Sequence, residues 1–169
     1  MTALQVALDS LLGACLRRGS RIGDYLLPPA DQERVARSVG SHDVHPSVFE
    51  LYEWHGGSDI DRLRADGRWD TLIPGFDFVS PEDASDEIDR YKGFRADPLN
   101  PPQALDDIWR LDFCPVFRLD GAADMLPVDG SGQVWLMVWG APPELVFPSI
   151  EALIQASVGV VESGANSLF

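Results

Sequence analysis

The sequence predicts an α+β fold: a twisted, mostly antiparallel sheet packed with N-terminal helices, a middle helix and a C-terminal helix. Three observations carry this. From Phe113 to Ile154, short apolar runs alternate with the turns Asp120-Gly121 and Asp129-Gly130-Ser131-Gly132, whose residues accept positive φ, the pattern of a β-meander. The first third of the chain instead repeats apolar residues at helical spacing. After Pro148 that spacing returns.

Thr2 caps a first helix running through Arg18, with Leu4, Leu8, Leu11, Leu12 and Cys15 on one face and Arg17-Arg18-Gly19 as its exit. Leu26 to Pro29 breaks the chain. Ala30 to Val39 forms a short helix stopped by Gly40, and Pro46 opens a third in which Val48, Leu51, Tyr52 and His55 share a face, ended by Gly56-Gly57. Ser58 to Asp70 mixes charges of both signs without a regular period, and Thr71 to Val79 is a strand interrupted by Pro74-Gly75. Ser80-Pro81-Glu82-Asp83 supplies a cap, a proline at the first helical position and acids in the first turn of the middle helix. Pro98, Pro101 and Pro102 mark a loop between Gly93 and Gln103. Val134 to Trp139 is apolar on both pleat faces, which predicts a central strand with Trp135 and Trp139 in the core, flanked by shorter strands at Asp124 to Val128 and Glu144 to Phe147. Ser149 then caps a helix carrying Ile150, Leu153, Ile154, Val158 and Val161, with Gly164 at its end.

At 169 residues and 45% apolar composition, the chain suits a single domain able to bury a core without disulfides or metal. The two cysteines, Cys15 and Cys114, lie in apolar patterns and predict reduced, buried thiols. No apolar run approaches the ~18 residues of a membrane span, and the amino terminus has no signal-peptide pattern, so the expected location is the cytoplasm.

Charge is the strongest compositional signal: 27 acidic against 13 basic residues give a formal net charge of −14. Such a surface repels nucleic acid and anionic membranes, and no local basic stripe offsets it. It suits a basic protein partner, although solubility alone also accounts for an acidic surplus.

The residues offer little for catalysis, and the chain is expected not to be an enzyme. His42, His45 and His55 are the only histidines; Pro46 disrupts the helical spacing a zinc pair would need, and no further ligand is placed. Asp59 and Asp61 form a DxD pair, and Asp120, Asp124 and Asp129 sit at turns, but no segment has the alternating acids, glycine and closing glutamate of a calcium loop. Gly130-Ser131-Gly132 lacks the spacing of a nucleophile elbow, and no phosphate-cradling glycine loop exists. No cofactor and no metal are expected.

For binding, the middle helix stands out. Glu82, Asp83, Asp86, Glu87 and Asp89 place five carboxylates within eight residues before Arg90. The helix dipole accounts for the first two; the other three repel one another, as on a solvated face or on a docking surface for a cationic partner. Tyr91 and Phe94 adjoin them as aromatic anchors, and Trp69, between Arg68 and Asp70, is the tryptophan of five that the sequence leaves exposed. The expected partner-binding set is Glu82, Asp83, Asp86, Glu87, Asp89, Tyr91, Trp69, Asp59 and Asp61.

The succession LLPPADQERV, HPSVFELYEWHGG, LIPGFDFVSPEDASDEI, FCPVFRLDGAADMLPVD and ELVFPSIEALI resembles the SUKH superfamily over roughly residues 25 to 156. The closest points are Pro46 and Leu51 with Gly56-Gly57, Pro115 with Asp120-Gly121 and Asp129, and Phe147-Pro148-Ser149-Ile150 with Leu153. That superfamily contains fungal cell-wall-assembly regulators and bacterial immunity proteins that neutralise polymorphic secreted toxins, often nucleases. The resemblance implies an α+β fold and a non-catalytic protein that occludes a basic toxin domain, or, as in the fungal relatives, a regulatory scaffold for an endogenous partner. A third class, a small-molecule enzyme or sensor, would need a deep polar pocket gathering His55, Asp59 and Trp69.

Overall fold

The computed structural model describes residues 2–40, 44–96, 109–110, 112–119, 123–165 and 168–169, without the side chains of 95 and 96. The turn at Asp120-Gly121, His42 and the prolines 98, 101 and 102 lie outside the described residues. The described residues form an α+β fold whose five antiparallel strands follow chain order, β1-β2-β3-β4-β5.

Helix α1 (Ala3–Arg17) starts at a capping box in which Thr2 Oγ1 accepts from Gln5 N–H and Gln5 Oε1 accepts from Thr2 N–H. Its face of Leu4, Leu8, Leu11 and Cys15 is buried, and it packs along α6 (Ile150–Ser163). Helix α6 is capped by Ser149 and ends at Gly164, in the left-handed region at φ 76°. Between them in sequence, a 3-10 turn (Ile22–Tyr25) leads to α2 (Gln32–Val39), capped by Asp31, and to α3 (Pro46–Trp54), capped by His45 Nδ1. Ser58 to Asp70 is more regular than its charges suggest. Asp59 accepts from Arg62 N–H and starts a six-residue helix, α4 (Ile60–Ala65), whose single buried residue is Leu63. Ile60 and Leu63 make a single i, i+3 pair, too short a run to establish a period.

Strand β1 (Phe76–Phe78) leads through Ser80 into α5 (Pro81–Ala96), followed by β2 (Cys114–Leu119), β3 (Met125–Val128), β4 (Val134–Leu136) and β5 (Glu144–Phe147). Alternation divides the side chains between two cores. Leu126, Val128, Val134 and Leu136 join the main core formed with α1, α3 and α6. Met125, Trp135 and Met137 turn the other way, into a smaller cluster with Tyr91 and Phe94 of α5, Trp109 and Phe113. Both faces of the sheet are therefore covered.

The centre of the sheet differs from the expectation. It is β3, fully buried, not the tryptophan strand: β4 ends at Leu136 beside the edge strand β5. The chain then pairs through Met137 with Met125 and turns, which leaves Val138 41% and Trp139 54% exposed and Trp135 only half-buried. Trp139 is thus not core. The turn is held by Trp139 N–H donating to Asp124 Oδ1 at 2.9 Å. Both cysteines are buried and unpaired; burial pushes the Cys114 thiol up to about 12, and burial together with nearby Asp70 pushes Cys15 up to about 11. No described helix is long and apolar enough to cross a membrane.

The β3–β4 turn centres on Asp129, which is 1% exposed. Its Oδ1 accepts from Ser131 N–H at 2.9 Å, Ser131 Oγ at 2.7 Å and Gln133 N–H at 3.0 Å, and its Oδ2 from Trp135 Nε1 at 2.9 Å. Burial acts to raise this carboxyl, but the hydrogen bonds outweigh it and hold Asp129 below its ordinary 3.8. Because the folded-state value lies below the unfolded one, this contribution is complete above about pH 4 and is lost as pH falls through the folded value. Asp129→Asn is therefore expected to lower stability near neutral pH and to flatten the acid limb of a urea-midpoint profile below pH 4. An acid limb identical to that of the parent would exclude Asp129 as a source of acid sensitivity.

Candidate partner-binding site

Helix α5 begins with a reciprocal cap. Ser80 Oγ accepts from Asp83 N–H at 3.1 Å, and Asp83 Oδ2 accepts from Ser80 N–H at 3.3 Å and from its hydroxyl at 2.7 Å. The five carboxylates from Glu82 to Asp89 do not form one face. Glu82 takes a bidentate pair from Arg34 of α2, at 2.8 and 2.9 Å, which outweighs burial and holds its carboxyl below the ordinary range. Asp89 pairs with Lys92 at 3.2 Å. Glu87 is 1% exposed, its Oε1 accepting from Arg118 of β2 at 2.9 Å and its Oε2 lying 3.0 Å from Arg90. Asp86 alone among the five is exposed with no hydrogen bond or ion pair to a described residue.

Two expected contact residues are therefore inaccessible. Glu87 and Tyr91 share the inward phase of α5 with Ala84, and neither reaches a partner. The repulsion expected among the acids is relieved by cations from other elements: Arg34 from α2 and Arg118 from β2. Tyr91 stacks on Trp109 at 4.2 Å and 9°, and burial pushes its phenol up to about 12. Phe94 is half-buried, 5.4 Å from Trp139. At this end of α5 the exposed aromatic is Trp139.

Other expected residues do converge. Asp59, Asp61 and Asp83 line one depression of about 300 Å³ with Leu27, Ser58, Ile60 and Arg118. The backbone places them: Ser58 N–H donates to Phe78 O at 2.8 Å and Asp59 N–H to Tyr25 O at 2.7 Å. The start of α4 is thereby fastened to the end of β1, from which α5 departs. Asp59 and Asp83 accept hydrogen bonds from uncharged groups, the Arg62 N–H and the Ser80 N–H and hydroxyl, and neither forms an ion pair with a described residue. Asp61 is exposed and has no partner among the described residues. No sequence pattern singles out Ser58 or Arg118 as part of a binding site. The signal for Arg118 is a lone charge in the apolar run FCPVFRL, which marks a buried ion pair.

Trp69 is separate from this depression. It is 69% exposed, and the Arg64 guanidinium lies 4.5 Å from its ring centroid, while Arg64 grips buried Asp77 at 2.9 Å through each carboxylate oxygen. His55 bonds the Leu27 carbonyl through Nδ1 at 3.0 Å and meets Trp54 edge-on. Asp59 and Trp69 line separate depressions among the described residues, and His55 lines neither of them. Among the described residues no three of His, Cys, Asp and Glu gather closely enough to hold a metal ion. Compared with known proteins, the chain matches no family model and no curated protein sequence.

Proposed function

We propose that this protein is a non-catalytic binding protein of the SUKH type, an immunity protein that acts in the cytoplasm by occluding the basic, nuclease-type domain of a polymorphic secreted toxin. The observation that carries this reading is the convergence of Asp59, Asp61 and Asp83 on one depression whose lining base, Arg118, is already paired with Glu87 at 2.9 Å. Carboxylates left uncompensated attract a cationic surface that otherwise binds the phosphates of nucleic acid. The net charge of −14 steers such a partner at up to ~10⁸ to 10⁹ M⁻¹s⁻¹ at low salt.

Co-expression with the toxic product of a neighbouring gene tests the role: growth rescued by this chain supports it, and continued killing by a toxin whose own immunity gene rescues overturns it. Electrostatic association gives a further expected result. The double variant Asp61→Lys, Asp86→Lys alters two exposed positions with no ion pair to a described residue, so the domain should fold while its association rate falls about tenfold or more at low salt. Stopped-flow rates equal to the parent's, or rates insensitive to ionic strength, would move the contact surface elsewhere. Glu87 is unsuitable for this reversal because it is buried.

One feature favours the alternative of a regulatory scaffold with an endogenous partner. Val138, Trp139 and Leu145 are 41%, 54% and 45% exposed at the β4–β5 end of the sheet. A partner held there would associate with little dependence on salt and would lose affinity in Trp139→Ala rather than in the aspartate variants.

A further inference from the structure

We propose that the depression between α4 and the first turn of α5 receives a single arginine side chain of the partner, an inference that rests on the partner-binding reading above. Three carboxylates and a serine surround it. Ser58 lines the depression, is 4% exposed, and its buried hydroxyl has no hydrogen-bond partner among the described residues. Its N–H is given to Phe78 O at 2.8 Å and its carbonyl accepts from Ile60 N–H at 3.0 Å, so the hydroxyl is the polar group it has left to offer. An orphaned buried hydroxyl is destabilising, and a donor that settles into the depression deeply enough to reach it relieves that.

The shape selects the cation. A volume of about 300 Å³ corresponds to on the order of ten waters, and the lining acids do not close around a point where a metal ion would sit. The ligand must therefore extend across the space. Leu27 and Ile60 provide apolar walls for a methylene stem. Four acceptor groups, Asp59, Asp61, Asp83 and Ser58, exceed the three N–H bonds of a lysine ammonium, whereas a guanidinium presents five in a planar fork. The charge on Arg118 is met by Glu87 behind it, at 2.9 Å, and does not cancel the three aspartates.

The test uses ¹⁵N-labelled full-length protein titrated with N-acetyl-arginine methylamide, with the lysine analogue and the uncharged citrulline analogue as comparisons. The expected result is saturable amide shifts centred on Ser58 to Asp61 and Asp83 with the arginine compound, weaker ones with lysine and none with citrulline. Asp61→Asn, at an exposed position, should weaken the arginine response about tenfold, and Ser58→Ala should weaken it severalfold. Equal shifts with citrulline, shifts centred elsewhere, or no saturation would overturn the proposal. Toxin rescue without an arginine response would sink the arginine pocket and leave the immunity role standing. A saturable response without rescue would support the pocket and sink that role.

Discussion

Gly57→Ala is expected to be among the most damaging single-methyl additions this chain can suffer. Gly57 sits at φ +105°, and a Cβ there would lie 2.7 Å from Ser80 N, 2.8 Å from Ser80 Cα and 2.9 Å from Val79 C. These are backbone atoms at the β1–α5 junction and cannot rotate away. Unfavourable φ and backbone overlap together predict a loss of about 3 kcal/mol or more, or a fall in Tm of roughly 6–12 °C for a domain of this size. Next door, a Cβ on Gly56 would lie 2.6 Å from the Pro28 carbonyl oxygen. The pair is thus threaded between the Leu27–Pro28 segment and the start of α5, the same junction that forms the acidic depression. Gly159→Ala is the control. That glycine is exposed within α6, with nothing within 4 Å of its Cβ, so alanine should stabilise by about 0.5–1 kcal/mol. Thermal unfolding that moves the same way for both variants would contradict the assignment of Gly57 to a backbone crossing.

Arg118→Met carries the second large expectation. Glu87 is 1% exposed and takes its closest hydrogen bond from Arg118, while Arg90, half exposed, reaches only its other oxygen. Asp77, opposite Arg118 in the β1–β2 register, is itself 3% exposed and paired with Arg64. Removing Arg118 leaves Glu87 a buried charge with a weakened counterpart, at a cost of about 3–5 kcal/mol. The double variant Arg118→Met, Glu87→Gln removes the charge with its partner and should recover most of the loss, because the large penalty comes from the unpaired ion. Chemical denaturation of the parent, both single variants and the double variant gives the coupling directly. Strictly additive losses would show that the pair is not a unit.

These two sites mark where the sequence stops being informative. Gly56-Gly57 reads as a helix stop, and a stop there is consistent with α3 ending at Trp54; that the glycines also permit two backbones to cross depends on residues 28 and 80, which no local pattern connects. The acidic run from Glu82 to Asp89 reads as one charged face because helical spacing places the carboxylates but cannot say which cations arrive from elsewhere. Arg34 and Arg118 come from elements about fifty residues before and thirty after, and they turn two of the five acids into structural pairs. Val134 to Trp139 misled for a related reason. An apolar run covered on both faces looks central, yet covering at this strand comes from α5 and its aromatic cluster on one side and the main core on the other, and it ends before Trp139.

By itself the sequence determined the α+β class, the helices α1, α3, α5 and α6 and the meander that follows Phe113, because capping, turn formation and apolar period act over a few neighbouring residues. Tertiary structure alone decided which carboxylates remain uncompensated, how Asp59 and Asp61 come to face Asp83, and that Trp139 meets solvent. Charge pairing and burial depend on groups that meet only when the chain closes, and a carboxylate's availability to a partner is set by the cation that does or does not lie beside it.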